Sequence, residues 1–235
     1  MKNIACVLLL MPTLAWAVPI LPDVKPERTG PVRVLVPALG MGEEGAIERL
    51  KTLGFEVTVV SWQKLEPDKL KDIDVIFLPT HWGEDASEHF KFFEKNKEQF
   101  HRFVKRGGGL VASQPNPSQQ GMVTPGLLPY PITFKNWYDD KQPAREHLAP
   151  DHFITKGLAE DDLPFPADPM VKVDEHYTLL ARQKSTQMPS LAVCNYGAGR
   201  IVVQTAAEGK AASIPIPDEI IRRIVVWSAQ RDQSR

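Results

Sequence analysis

Apolar residues along this chain alternate between short continuous runs and helical stripes. Val32, Val34, Leu35 and Val36 form a first apolar run, and Gly40 and Gly42 turn the chain out of it. Residues 43–53 then carry Ala46, Ile47 and Leu50 at helical spacing, and Gly54 stops that helix. Val57, Val59 and Val60 mark a second strand, residues 67–71 a short helix or turn, and residues 73–78 a third apolar run. The clearest helix is predicted over 86–106, where Phe90, Phe93, Phe100, Phe103 and Val104 share one stripe. Lys91, Glu94, Lys95 and Glu98 lie largely outside it. Gly107, Gly108 and Gly109 end that helix, and Leu110, Val111 and Ala112 open a fourth strand. Strands that are apolar throughout and alternate with helices specify a parallel sheet covered on both faces.

The periodicity fades over residues 115–169, which hold many of the chain's 21 prolines and are expected to form a long, loop-rich insertion. It returns at 171–173 and 176–181. Residues 190–195 and 200–205 flank Tyr196-Gly197-Ala198-Gly199 and read as a β-hairpin. A last helix is predicted over 217–230, with Pro217 at its start and Ile220, Ile221, Ile224, Val225 and Trp227 inward. No internal repeat is present.

The first residues change where the protein is expected to work. Lys2, the apolar stretch from Ile4 to Leu14, and Ala15-Trp16-Ala17 have the order of a signal peptide over 1–17. Cleavage between Ala17 and Val18 would export the chain to a periplasm or the outside. It would leave an extended leader over 18–30, a single domain over 31–235 and no membrane span. A formal net charge of −1 and the lack of a basic patch argue against nucleic acid as a partner. Cys6 falls in the signal peptide and Cys194 remains alone, so no internal disulfide is expected and Cys194 reads as a small core residue.

The order of motifs resembles the class I glutamine-amidotransferase-like superfamily, and within it the trehalose-utilisation, ThuA-like branch. The residues that carry the resemblance are 32–37, 73–80, the glycine-led stretch 107–114, Asp151 to Gly157, Asp174-Glu175-His176-Tyr177, and 199–208. The resemblance implies a doubly wound, mostly parallel, flavodoxin-like α/β sheet, with the hairpin and helix at its end. In amidotransferases of this fold a cysteine stands at the elbow after the glycine-led strand, and a histidine and a glutamate follow the last sheet strand. Here Gln114 takes the cysteine's place, Ala206 the histidine's, and only Glu208 matches. A carboxamide is not ionised in water and a methyl group accepts no proton, so cysteine-dependent glutamine hydrolysis is excluded at this register. ThuA-like proteins often carry histidine at the elbow, and Gln114 departs from that too. A shift of one residue would put Ser113 there, still without a base.

Ligands of a doubly wound sheet bind beyond the carboxyl ends of the strands. The segments expected there supply His81, Trp82, Glu84, Ser113 and Gln114, with Glu175 and Tyr177 closing the site as the resemblance implies. Amides, carboxylates and an indole face suit a polyol or carbohydrate. His81, Glu175 and Glu208 are the candidates for acid–base chemistry. Each has a structural alternative: His81 and Trp82 as loop packing, Gln114 as a backbone partner, Glu175 as a solvated face, Glu208 as a hydrogen-bonded acid. Six histidines occur without a close ligand spacing, so no metal is assigned, and nothing calls for a cofactor. Three functions stay open. The first is an exported module that binds a carbohydrate or related polar metabolite. The second is a sugar-modifying hydrolase or isomerase using Glu175 or His81. The third is a cell-envelope interaction module that docks an unknown protein through the proline-rich middle and Trp137.

Overall fold

The computed structural model describes residues 30–40, 43–83, 87–117, 122–123, 126–136, 144–207 and 216–230. The signal peptide expected over 1–17 and the leader expected after it, up to residue 29, lie outside these, as do Glu84, Trp137, Tyr138 and Glu208.

Eight strands form the central sheet. From one edge they run β2 (Glu56–Ser61), β1 (Arg33–Ala38), β3 (Val75–Leu78), β4 (Gly109–Ala112), β11 (Gly199–Gln204), β10 (Pro189–Tyr196), β9 (Thr178–Gln183) and β7 (Arg145–His147). The first five are parallel. The hairpin strand β10 reverses direction, and β9 and β7 continue antiparallel. The chain lays down β1, steps outward to β2, then returns past β1 to β3, so the order switches between β1 and β3. In such sheets that point opens a crevice at the carboxyl ends of the strands.

Burial explains why these segments became strands. Every residue of β3 and β4 is buried, as expected of strands covered on both faces. β2 lies at the sheet edge and leaves Val59 44% exposed. One face is covered by α2 (Glu88–Lys95) and α3 (Lys97–Lys105), whose Phe93, Phe100, Phe103 and Val104 pack against Ile76, Leu78, Leu110 and Ala112. The other is covered by α1 (Glu43–Thr52) and α4 (Asp218–Ala229), through Ala46, Leu50, Ile220, Ile224 and Val225. Each of the larger of these side chains contributes roughly 1.5–3 kcal/mol by leaving water.

Two expectations about elements are corrected. The single helix over 86–106 is two, α2 and α3, separated at Asn96. The Asn96 side chain donates to the carbonyl of Phe92 at 2.8 Å, a local bond that competes with regular helix. The stripe survives the break: the rings of Phe93 and Phe100 meet edge to face at 5.6 Å. The proline-rich stretch is more regular than expected. It supplies β5 (Met122–Val123) and β6 (Ile132–Phe134), which join β8 (Met170–Val173) in a three-stranded antiparallel sheet, and β7 at the edge of the central sheet. Ile132, Phe134 and Met170 of the small sheet complete the core on the α2–α3 face.

Candidate functional site

The glycine run before β4 is set by packing. Gly107 has φ +107°, a left-handed conformation that turns the chain out of α3. At Gly109 a Cβ would come within 2.4 Å of the Ser228 carbonyl oxygen in α4, so only glycine lets the helix lie this close. The strand then delivers Ser113, whose amide donates to Leu78 O at 3.1 Å as a last rung toward β3.

Beyond that rung the exits of β3 and β4 are stapled together. The amides of His81 and Gly83 donate to the carbonyls of Gln114 and Pro115, both at 3.0 Å. The Trp82 indole N–H donates to Ser113 O. The His89 ring nitrogen Nε2 lies 3.0 Å from the His81 carbonyl. Two non-glycine residues in this staple have left-handed backbones, His81 at φ +74° and Asn116 at φ +53°. Such conformations cost on the order of 1–3 kcal/mol each and persist where surrounding bonds hold them.

The two strained residues touch. Asn116 Nδ2 lies 2.6 Å from His81 Nδ1. The Asn116 backbone amide donates to Asp168 Oδ2 at 2.8 Å, and the Gln114 side chain lies beside the same carboxylate, where it favours the charged form. Asp168 is 2% exposed. Burial pushes its carboxyl up to about 6, outweighing the two groups that favour the charged form. His81, Gln114, Asn116 and Asp168 thus form one polar cluster at the carboxyl edge of the parallel strands. His81, Gln114 and Asn116 are partly exposed, and Asp168 sits behind them. A buried acid held by a backbone donor at such an edge marks a functional-site candidate. At the neighbouring exit of β1, the largely buried Glu43 carboxylate accepts from the Gly40 amide at 3.0 Å.

The residues singled out in the sequence divide into three groups. His81 and Gln114 stand in the cluster. Trp82 and Ser113 belong to its foundation: both are fully buried, and the Trp82 indole packs in the core with no face open to a sugar. Glu175 and Tyr177 stand elsewhere. Thr178 is aligned through Val193 and Val202 with Val111 of β4. Tyr177 therefore lies one residue toward the amino edge of that level, and Gln114 three residues toward the carboxyl edge. The separation is roughly 13 Å along the strands and about 14 Å across them. Residues 174–177 form a turn, not an alternating strand, with Glu175 exposed and Tyr177 buried. The Tyr177 hydroxyl donates to Tyr130 O at 3.2 Å, and burial raises its pKa well above the usual phenol value. Cys194, beside it, is 2% exposed and pushed up to about 12 by burial. Glu84 and Glu208 lie outside the described residues.

Where the amidotransferase histidine would stand, Ala206 is fully buried in the core under α4. The Gln204 side chain brackets it, accepting from Ala206 N at 2.6 Å and donating to Ala206 O at 2.7 Å. Among the described residues no group of three or more His, Cys, Asp or Glu is arranged to hold a metal. None of the described helices is long and apolar enough to cross a membrane.

Asp168 and Asn116 did not emerge from sequence reasoning. The only signal for Asp168 is an acid alone among apolar neighbours in Pro164-Phe165-Pro166-Ala167-Asp168-Pro169-Met170. A carboxylate in such company must either be solvated or find donors.

No family model and no curated protein matches the chain. Solved structures do. A glutamine amidotransferase superposes with a TM-score of 0.55 at 16% identity, covering 84% of this chain and 99% of that one. A putative GMP synthase component from Thermoplasma acidophilum gives 0.58 at 10% identity, over 86% and 96%. A putative ThuA-like protein from Parabacteroides merdae gives 0.49 at 16% identity, over 86% and 91%. The chain has the glutamine-amidotransferase-like, flavodoxin-type α/β fold. At these identities the likeness is one of fold, and function has to be argued from the site.

Proposed function

We propose that the protein is an exported member of this fold that binds a carbohydrate or related polar metabolite at the carboxyl edge of β3 and β4, and that it is not a cysteine-dependent amidotransferase. The observation that carries the reading is the cluster of His81, Gln114, Asn116 and Asp168. Four polar side chains gather there around two strained backbones, at the carboxyl edge of the sheet next to the β1–β3 switch point. Two amides and an imidazole exchange hydrogen bonds with hydroxyls. Gln114 cannot supply a thiolate, and the buried methyl of Ala206 cannot supply a base. The signal-peptide pattern over 1–17 supports export, and protein recovered outside the cytoplasm should begin at Val18.

A second reading is supported by Asp168. An acid with a pKa of about 6, linked to a histidine through Asn116, offers groups that can move protons in sugar hydrolysis or isomerisation. It would shift that chemistry from Glu175 to His81 with Asp168 in support. Thermal denaturation of the protein against neutral mono- and disaccharides, sugar acids and glutamine tests the first reading. A ligand raises the melting temperature by mass action, and Gln114→Ala should abolish that rise. A shift that Gln114→Ala leaves intact would move the site elsewhere, and the absence of any shift would favour the envelope-interaction alternative. Turnover of a bound sugar, lost in His81→Ala, would establish the second reading.

A further inference from the structure

The segment Asp151 to Gly157, one of the motifs that carry the resemblance, has no part in the cluster at the carboxyl edge. It forms a turn that is pinned from two sides. Within the turn, the Thr155 hydroxyl donates to Ala149 O at 2.6 Å and the Lys156 amide to His152 O at 2.8 Å. From α4, the Arg223 guanidinium donates to Lys156 O at 2.6 Å, and the His152 ring packs near Trp227 with centroids 5.5 Å apart. Turn and helix border an open groove of about 440 Å³, lined by Phe153, Lys156, Glu219, Arg222, Arg223 and Val226. The four helical residues stand three or four apart, so one face of α4 forms that wall.

The charges of the groove do not balance. Three cations face one carboxylate, in a chain whose formal net charge is −1. That carboxylate, Glu219, accepts from Arg223 Nε at 2.7 Å. Arg223 is thus committed to Glu219 and to the turn. Arg222 comes no nearer to Glu219 than 3.8 Å, beyond hydrogen-bond reach. Lys156 is exposed, and its ammonium makes no hydrogen bond or ion pair with the described residues. The rest of the lining is apolar. Phe153 and Val226 are half-buried, and the Phe153 ring rests on the core under α4.

We propose that the groove between the 151–157 turn and α4 binds a phosphate monoester with an apolar or aromatic body, Lys156 and Arg222 holding the phosphate and Phe153 and Val226 packing against the body. Two uncommitted cations match the charge of such an ester, about −1.5 to −2 at neutral pH. The planar guanidinium of Arg222 suits its oxygens. Exposed ion pairs alone contribute little, so the apolar floor is what separates the ester from free phosphate. The volume is that of a small-molecule site. The inference does not depend on the carbohydrate reading of the β3–β4 edge.

Binding of phenyl phosphate, inorganic phosphate, benzoate and phenol is measured by calorimetry on the full chain and on its Lys156→Ala, Arg222→Ala, double and Gln114→Ala variants. Backbone amide spectra are recorded on the same samples at low and high salt, and urea unfolding checks each variant. Phenyl phosphate should bind about tenfold more tightly than inorganic phosphate, and more tightly than benzoate or phenol. Its binding should weaken with salt. Lys156→Ala and Arg222→Ala should each weaken it about three- to tenfold with the unfolding midpoint unchanged, and Gln114→Ala should leave it intact. Shifts on binding should concentrate at 153–156 and 219–226. Equal affinity for phenyl phosphate and inorganic phosphate overturns the apolar floor, and equal affinity for benzoate overturns the assignment to a phosphate. Unweakened binding in the double variant, or shifts centred elsewhere, overturns the location. No binding of phenyl phosphate overturns the proposal outright.

Discussion

Two turns of this molecule carry nearly the same inventory and end in opposite circumstances. The exit of β3, with its partner at the exit of β4, holds His81, an aromatic in Trp82 and an acid in Asp168. The turn before β9 holds His176, an aromatic in Tyr177 and acids in Asp174 and Glu175. In the first, the acid is buried and two of the three other cluster residues, His81 and Asn116, sit on left-handed backbone. In the second, His176 Nδ1 pairs with Asp174 Oδ1 at 2.6 Å in a solvent-facing turn, and its ring stacks on Tyr130 with centroids 4.0 Å apart. The first site stores desolvation and strain; the second relieves both in water. Residue type alone does not tell the two apart, whereas position on the sheet and burial do.

The largest expected effect is on the foundation of the first turn. Trp82→Ala removes a fully buried indole and its bond to Ser113 O, and should cost roughly 3–5 kcal/mol in urea denaturation. A loss under about 1 kcal/mol would mean that the staple between β3 and β4 does not depend on this ring.

Asp168→Asn comes next and has the opposite sign. The folded-state pKa of about 6 lies above the ordinary value of 3.8, so the folded protein binds more protons than the unfolded chain in that window. The stability associated with the neutral acid is fully present below about 4 and is lost as the pH rises through about 6. At pH 7.5 the burial of the charge costs about 3 kcal/mol by this reckoning. Asparagine removes that cost and still accepts from Asn116. The variant should therefore gain roughly 1–3 kcal/mol at pH 7.5 and show a flatter stability profile between pH 4 and 7. An unchanged profile would mean that Asp168 is solvated in the folded protein.

The contrast also explains what the sequence could tell. The wholly apolar runs of β3 and β4, the phenylalanine stripe of α2 and α3, and the Tyr196–Gly199 turn are local signals, and the structure bears them out as elements. The break at Asn96 turns on one side-chain bond that periodicity does not register. The small sheet is built from strands of two to four residues joined across distant parts of the chain, too short for alternation to show. His81 and Gln114 were legible because each ends an apolar strand. Asp168 was not, because it reaches them from 52 residues beyond Asn116 through a proline-rich segment with no period. Glu175 and Tyr177 were assigned by motif resemblance, and register through β10 and β11 sets them toward the other end of the sheet.

A smaller effect belongs to the second turn. Tyr177→Phe keeps the buried ring and loses the bond to Tyr130 O, which should cost about 0.5–1.5 kcal/mol in thermal or urea unfolding. Ligand binding should be unaffected, because the ring lies far from Gln114. A loss of binding without a loss of stability would bring this turn back into the site.

The smallest effect expected is the most pointed test of the comparison. Glu175 is exposed in the 174–177 turn. Glu175→Ala should change stability by less than about 0.5 kcal/mol, as surface substitutions away from special features do. It should also leave the affinity for any ligand bound at Gln114 unchanged. Affinity is the sharper readout, since a solvated carboxylate contributes little to folding wherever it stands but would contribute to binding only if the ligand reached it. Should Glu175→Ala weaken binding as much as Gln114→Ala does, the ligand must bridge both edges of the sheet. A monosaccharide is too small to do so over the separation that the strand register gives. The occupant would then have to be an extended chain, and the difference between the two turns would be one of role within a single site.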